Sequence, residues 1–286
     1  MGTVKERIEQ HFNALSKSQQ KVADFVLKNP TYVGVHSAAE VGEQAGTSET
    51  TVIRFCYAIG LKGCAQLQKD VTMYLFEHPT NNTLGNYVSS KEELFKEQQL
   101  CEKVMCQTST QIVRIAKQID PNQFRGVIKR MHEAKTIYIV GVGASAFAAA
   151  WLQFTLNTLR PNVKLIAIET SSMIRTLQEI DDTALLVTIS LHRYYKEPIH
   201  ITHEIRKRGA YVVAITDSNV APIHAHAHET FVLQQAELST IDVMPALISF
   251  LNTLVVGMMS QNANYYNEQR VKYDDFQNSF LANKWS

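Results

Sequence analysis

A chain of 286 residues with 45% hydrophobic and 19% charged side chains has room for two packed domains and shows no bias toward disorder or a disulfide scaffold. Its net charge of +1 excludes a gross electrostatic case for nucleic acid, so such a partner must be met by local placement of charge. Apolar stretches broken by polar residues and an N-terminus without a signal-peptide core predict a cytoplasmic protein with no membrane partner, and four cysteines (Cys56, Cys64, Cys101, Cys106) without C-x-x-C spacing predict buried or half-buried thiols.

Residues 4 to 28 repeat apolar side chains at helical spacing, with Ser18 as the expected N-cap of a second helix that Asn29-Pro30 stops. Ser37-Ala38-Ala39-Glu40 is a capping box that opens a short helix ending at Ala45-Gly46. Thr47-Ser48 then caps a helix from Glu49 to Ile59, closed by Gly60. Val41, Ala45, Val52 and Phe55 fall where two crossing helices need apolar residues, and Gly42 falls where only a small side chain allows close approach. This is the spacing of a helix-turn-helix. Its second helix would offer Ser48, Thr50, Thr51, Arg54 and Tyr57 to DNA, with Lys62 just beyond, and Arg54 is the strongest candidate for a base or phosphate contact. Acids nearly balance the local lysines and arginines, so binding calls for a dimer that doubles the phosphate contacts.

Another helix is expected from Cys64 to Phe76, after which His78-Pro79-Thr80-Asn81-Asn82 begins a polar, turn-rich linker. The expected division is a DNA-binding domain over 1–77, a linker over 78–91 and a second domain over 92–286. Helices are predicted from Glu92 to Ile119 and from Pro121 to Ala134. Thr136-Ile137-Tyr138-Ile139-Val140 then reads as a buried parallel strand that runs into Gly141-Val142-Gly143-Ala144-Ser145, with a covering helix from Ala146 to Leu159. Two glycines followed by a helix N-terminus suit an anion. Ala146 stands where a dinucleotide fingerprint would have its third glycine, so no nucleotide cofactor is expected.

Strands and helices alternate from there. Strands are expected over 163–168, 184–190, 211–216 and 230–233, and helices over 171–179, 196–208 and 245–260, with a short helical turn near Ala221-Pro222. That is an α/β doubly wound parallel sheet following an all-α domain. Loops at Gly141, Ser190, Asp217 and Gln234 should converge on one pocket at the strands' carboxyl ends. Six histidines (His192, His200, His203, His224, His226, His228) crowd the third to fifth strands, and His224-Ala225-His226-Ala227-His228 alternates as a metal strand would. Without a cysteine or carboxylate cluster beside them they are read as surface histidines, and no metal is expected.

With Leu15-Ser16-Lys17-Ser18, Ala23-Asp24, Asn29-Pro30, Ser48 to Cys56 and Gly60-Leu61-Lys62-Gly63 in its first part, and Ile139 to Ser145 and Arg208 to Asp217 in its second, the chain resembles the RpiR family of bacterial transcriptional regulators. These join an N-terminal helix-turn-helix to a C-terminal SIS (sugar isomerase) domain. The resemblance spans nearly the whole chain and implies operator DNA as a partner, a homodimer or homotetramer, and a small-molecule effector, usually a phosphosugar. The expected effector residues are Gly141, Gly143, Ala144, Ser145, Ser190 and Glu237, with His192, Arg193 and Tyr195. One segment departs from the family. Its phosphate loop is typically Ser-x-Ser-Gly-x-Ser/Thr, and this chain reads Ser190-Leu191-His192-Arg193-Tyr194-Tyr195. Arg193 in place of glycine is expected to resist positive φ, so that the loop no longer wraps a phosphate. His192 and Arg193 would instead clamp a carboxylate, and Tyr194 or Tyr195 would stack on a ring. Two other readings follow from the same residues. One is an SIS-type sugar-phosphate isomerase with Glu237 as base and His192 opening the ring; the other is a DNA-binding protein whose SIS domain only dimerises.

Overall fold

The computed structural model describes residues 4–77, 87–88, 91–219, 221–234 and 241–278. The N-terminal part is all helix: α1 (Val4–His11), α2 (Lys17–Lys28), α3 (Pro30–Val35), α4 (Ala38–Gln44), α5 (Glu49–Ala58) and α6 (Cys64–Glu77). The cap of α2 is Ser16 rather than Ser18. Its hydroxyl accepts from the Gln19 N–H and the Gln19 side chain returns to the Ser16 N–H, a reciprocal box that Ser18 has no partner to make. Pro30 does more than stop α2, because as first residue of α3 its missing N–H costs nothing and its fixed φ starts the next helix.

The two helices of the motif form as their spacing requires. Ser37 and Glu40 make the expected box, with Ser37 N–H to Glu40 Oε2 at 2.8 Å and Glu40 N–H to Ser37 Oγ at 3.3 Å, and these bonds hold the Glu40 carboxyl below its ordinary range. Ser37→Ala should lower the stability of this domain by about 1 kcal/mol, read as a shift in its urea midpoint; no shift would mean that water replaces the cap without loss. Gly46 turns the chain at φ +63° and Ser48 caps α5 through the Thr51 N–H. Val41, Val52, Phe55 and Cys56 are fully buried in the core that α1, α2, α5 and α6 share. The Cys56 thiol is pushed up first by its hydrogen bond with Cys64 and then by burial. Cys101 and Cys106 differ from expectation: both are exposed, on the outer side of a helix that packs through other positions.

The linker reading falls mostly outside the described residues. At its end Lys91 pairs with Asp242 at 2.8 Å, tying this segment to the start of a core helix. The long helix expected from Glu92 to Ile119 is two pieces. A 3-10 turn covers Glu92–Lys96, Glu97 is extended, and α7 runs over Leu100–Gln118. Pro121 then opens α8 (Pro121–Glu133), capped by Asp120.

The sheet follows: β1 (Thr136–Gly141), α9 (Ala144–Asn157), β2 (Val163–Leu165), α10 (Thr170–Glu179), β3 (Ala184–Ile189), α11 (Lys196–Lys207), β4 (Tyr211–Thr216), a 3-10 turn over Pro222–His226, β5 (Glu229–Val232), α12 (Val243–Gln261) and α13 (Ala263–Asn278). The strand order is β2-β1-β3-β4-β5 and every pairing is parallel, which confirms the doubly wound class. β3 is buried at all six positions and β1 at its four central ones, as a sheet covered on both faces demands. Val127, Ile128, Leu152, Leu247 and Leu254 from α8, α9 and α12 cover one face, and Ile201 and Ile205 of α11 the other. α12 is long and apolar enough to cross a membrane by composition, yet eight of its side chains, Leu247, Leu251 and Leu254 among them, are buried in this core.

Candidate functional site

Strand order reverses between β1 and β3: the chain leaves β1 toward β2 on one side and returns on the other. At such a point the loops leaving the two strands diverge, and a crevice opens at their carboxyl ends. Here it is a cavity of about 210 Å³ lined by Val142, Ala144 and Ser145 from the β1 loop and by Ser190, Leu191, His192, Arg193 and Tyr195 from the β3 loop, with Pro198 of α11 closing one side.

The β1 loop is built on glycine. A Cβ on Gly141 would stand 2.5 Å from the Ser145 carbonyl oxygen, so α9 starts directly against the strand end. Gly143, at φ +60°, takes the N-cap position of α9, and a Cβ there would meet the Tyr195 ring at 2.9 Å. Tyr195 therefore lies across Gly143 and lids the crevice from the opposite loop. Ala144 opens α9 two residues earlier than expected and shares the lining with Ser145, whose side chain is buried.

The β3 loop overturns one expectation. Arg193 adopts φ +79° and Tyr194 φ +23°, so the positive-φ turn that glycine would make persists without glycine. The contacts that hold it are a buried trio. Asp217, at the end of β4, accepts the His192 N–H on Oδ2 at 2.8 Å and the Tyr194 hydroxyl on Oδ1 at 3.0 Å. Tyr194 is thus a core residue, unavailable for ring stacking, and only Tyr195 has an accessible ring, 42% exposed. Burial, then the Asp217 charge, push the Tyr194 phenol well above its ordinary value, so it remains a donor. Burial also pushes the Asp217 carboxyl up and the His192 imidazole down, the Asp217 charge opposing the latter shift and the Arg193 charge adding to it. Ser190 lines the cavity, and its Oγ is buried with no hydrogen-bond partner among the described residues.

Of the expected effector residues, Ala144, Ser145, Ser190, His192, Arg193 and Tyr195 come together in this crevice, and Gly141 and Gly143 shape its floor. Glu237 lies outside the described residues. Most of the loop after β5 lies outside the described residues. Gln234 lines a separate cavity with Asn219, Gln118 and Gln123, and its amide donates to the Val35 carbonyl of the N-terminal domain at 2.6 Å. The edge position of β5 puts its end two strands away from the reversal point. The histidine run does not form one face either. His224 reaches the Ser218 carbonyl, His226 packs on His203, and His228 accepts the Val212 N–H while stacking on Tyr211.

On the N-terminal domain, Ser48, Thr50, Arg54, Tyr57 and Lys62 are exposed and Thr51 is half-buried, with Tyr57 60% exposed despite its size. Ser48 and Thr51 hydroxyls lie 3.0 Å apart and the Thr51 N–H donates to Ser48 Oγ, so these two serve first as the cap of α5. Residues 2–77 match the helix-turn-helix domain of the rpiR family, and residues 130–260 match the SIS domain. The chain belongs to the RpiR family. A HTH-type transcriptional regulator of Haemophilus influenzae is 23% identical over 288 residues, covering 95% of this chain and 99% of that one. The regulator HexR of Pseudomonas aeruginosa is 27% identical over 217 residues, 76% of this chain and 74% of HexR. Among solved structures, Vibrio vulnificus NanR complexed with ManNAc-6P shares the fold at a TM-score of 0.64 and 20% identity, over 98% of this chain and 99% of NanR. The sugar isomerase domain of an RpiR transcription factor from Sphaerobacter thermophilus aligns at 0.56 and 23% identity, covering 62% of this chain and 99% of that domain.

Proposed function

We propose that this RpiR-family chain is a DNA-binding transcriptional regulator whose SIS domain senses a small anionic metabolite and alters operator affinity. The observation that carries this reading is the crevice at the β1/β3 reversal, lined by Ser145, Ser190, His192, Arg193 and Tyr195, in the same chain as a helix-turn-helix whose Thr50, Arg54 and Tyr57 are exposed. NanR, which shares the fold, is complexed with a phosphosugar, and that class is the first to try. We read the domain as a sensor rather than an isomerase because two of the relatives it matches are named as regulators. The chain would act as a homo-oligomer in the cytoplasm, where its operator lies, with two copies of α5 set at the half-site spacing. Coupling between the domains would run through α7 and through the Gln234–Val35 bond.

The test is fluorescence anisotropy of the full chain on operator DNA selected from a random pool. Arg54→Ala should weaken binding by about tenfold or more, consistent with loss of one base or phosphate contact worth roughly 1–3 kcal/mol. Unchanged affinity would remove Arg54 from the interface, and operator affinity indifferent to every ligand that raises the melting temperature would remove the sensor.

A further inference from the structure

The last turn of α5 and the first turn of α6 carry one cysteine each, and the fold brings the two together. Gly60, at φ +76°, turns the chain back after α5, the Leu61 N–H donates to the Cys56 carbonyl at 2.8 Å, and α6 starts at Cys64. Cys56 is fully buried, Cys64 is half-buried against the same core, and a side-chain hydrogen bond joins their sulfurs.

The pair divides the two roles that thiol oxidation needs. Cys64 reaches solvent and is the first residue of a 14-residue helix, where unpaired N–H groups and the positive end of the helix favour a thiolate. The Cys56 thiol donates to its sulfur and holds the Cys64 thiol below its ordinary value, against burial and the Glu49 charge. Cys56 is itself sheltered from an oxidant and kept protonated, yet it touches the sulfur that an oxidant would reach. An accessible cysteine of thiolate character beside a resolving thiol is the arrangement of a reversible redox sensor, and in a reducing compartment a disulfide so formed is transient.

We propose that Cys64 and Cys56 form a peroxide-sensitive dithiol that closes to a disulfide and thereby lowers operator affinity. This adds a second input to the DNA-binding reading above and rests on it. The Cys64 thiolate attacks one oxygen of the peroxide; two electrons pass to the peroxide, its O–O bond breaks, hydroxide leaves, and Cys64 becomes a sulfenic acid. The Cys56 sulfur then attacks the Cys64 sulfur, the S–S bond forms as the S–O bond breaks, and the Cys56 proton departs with the hydroxyl as water. Sulfurs in hydrogen-bond contact must close to about 2.05 Å to be bonded. Just ahead of α5 the chain is held on α4, where the Thr47 N–H donates to the Gly42 carbonyl at 2.7 Å, so drawing in the last turn of α5 tilts the helix about its start. Arg54 and Tyr57 flank Cys56 on that helix and are carried out of register with the DNA.

The test uses the full chain with Cys101→Ser and Cys106→Ser, which removes the exposed thiols. After treatment with hydrogen peroxide and alkylation, the tryptic peptides 55–62 and 63–69 should be found joined, two hydrogens lighter than their sum. In anisotropy on the selected operator the oxidised chain should bind about tenfold or more weakly, the size of one lost base or phosphate contact, and dithiothreitol should restore it. Cys64→Ser should bind like the reduced parent and ignore peroxide. Cys56→Ala should stop at the Cys64 sulfenic acid, one oxygen heavier and trapped by dimedone; should that variant fail to fold, the joined peptides and Cys64→Ser carry the test. Peptides that stay separate, or a disulfide-bonded chain that binds operator as before, overturn this inference alone. A reduced chain that selects no operator overturns it together with the DNA-binding reading.

Discussion

Gly42→Val should abolish operator binding and melt the N-terminal domain well below the SIS domain. A Cβ at position 42 would stand 2.8 Å from the Ser48 carbonyl carbon, 3.0 Å from the Glu49 nitrogen and 3.1 Å from the Ser48 oxygen. All three are backbone atoms at the very start of α5, so no side chain can swing aside. The contact is also part of the turn itself, because the Thr47 N–H donates to the Gly42 carbonyl at 2.7 Å. Valine gains under ~1 kcal/mol of helix propensity over glycine. Overpacking costs roughly 1–3 kcal/mol even where side chains can shift, and more against backbone, so the clash wins. Against the small stability of a domain this size, that loss is decisive. Two-transition calorimetry together with operator anisotropy reads it. Gly42→Ala should be intermediate, and a Val variant that melts and binds like the parent would show that α4 and α5 are not in backbone contact.

How much of this was legible in the sequence depended on whether the governing interaction was local. The helix-turn-helix could be read because its determinants are short-range: the Ser37–Glu40 box, Gly46 at positive φ, and the small residue at 42. The strands were legible because β1, β3 and β4 are buried on both faces and so appear as β-branched runs with sharp ends. Periodicity alone is blind to a break such as the one at Glu97, where the chain turns extended and Lys103 reaches back to pair with the Glu97 carboxylate. It also passes over α13, whose polar composition gives no amphipathic signal although its own Tyr266 is buried. The loop at Arg193 failed for a different reason. Propensity argued correctly that arginine resists positive φ, but a carboxylate 24 residues further on, Asp217, outweighs that preference through two hydrogen bonds, and nothing in the local sequence announces it. His192, Arg193 and Tyr195 were nevertheless placed in the pocket, because the strand–loop–helix pattern fixes where the loop goes even when its conformation is misjudged.

Arg160 is the residue that sequence reasoning overlooked altogether, and its replacement should be among the most costly in the SIS domain. It is buried, and its guanidinium donates to the carbonyls of Met131 at 2.7 Å, Ala134 at 2.5 Å and, more weakly, Lys135 at 3.4 Å. These carbonyls belong to the last turn of α8 and the two residues that lead into β1, where a helix has unpaired acceptors and a partial negative charge. Arg160 thus caps α8 from the loop after α9 and fixes the point from which β1 sets out toward Gly141. Burial pulls its pKa down, yet guanidinium remains charged at any ordinary pH. Arg160→Met keeps most of the volume and strips the donors. Charged hydrogen bonds are worth roughly 1.5–3 kcal/mol and an unsatisfied buried carbonyl costs roughly 1–3 kcal/mol, so a loss of about 3–5 kcal/mol is expected. In a domain of this length that is on the order of 10 °C in melting temperature. Arg160→Lys should recover part of it, since an ammonium reaches one or two of the carbonyls without the planar fork that spans them. Differential scanning calorimetry of the full chain separates the two variants. A Met variant as stable as the parent would mean that water reaches these carbonyls, and that α8 is held to the sheet by its apolar face alone.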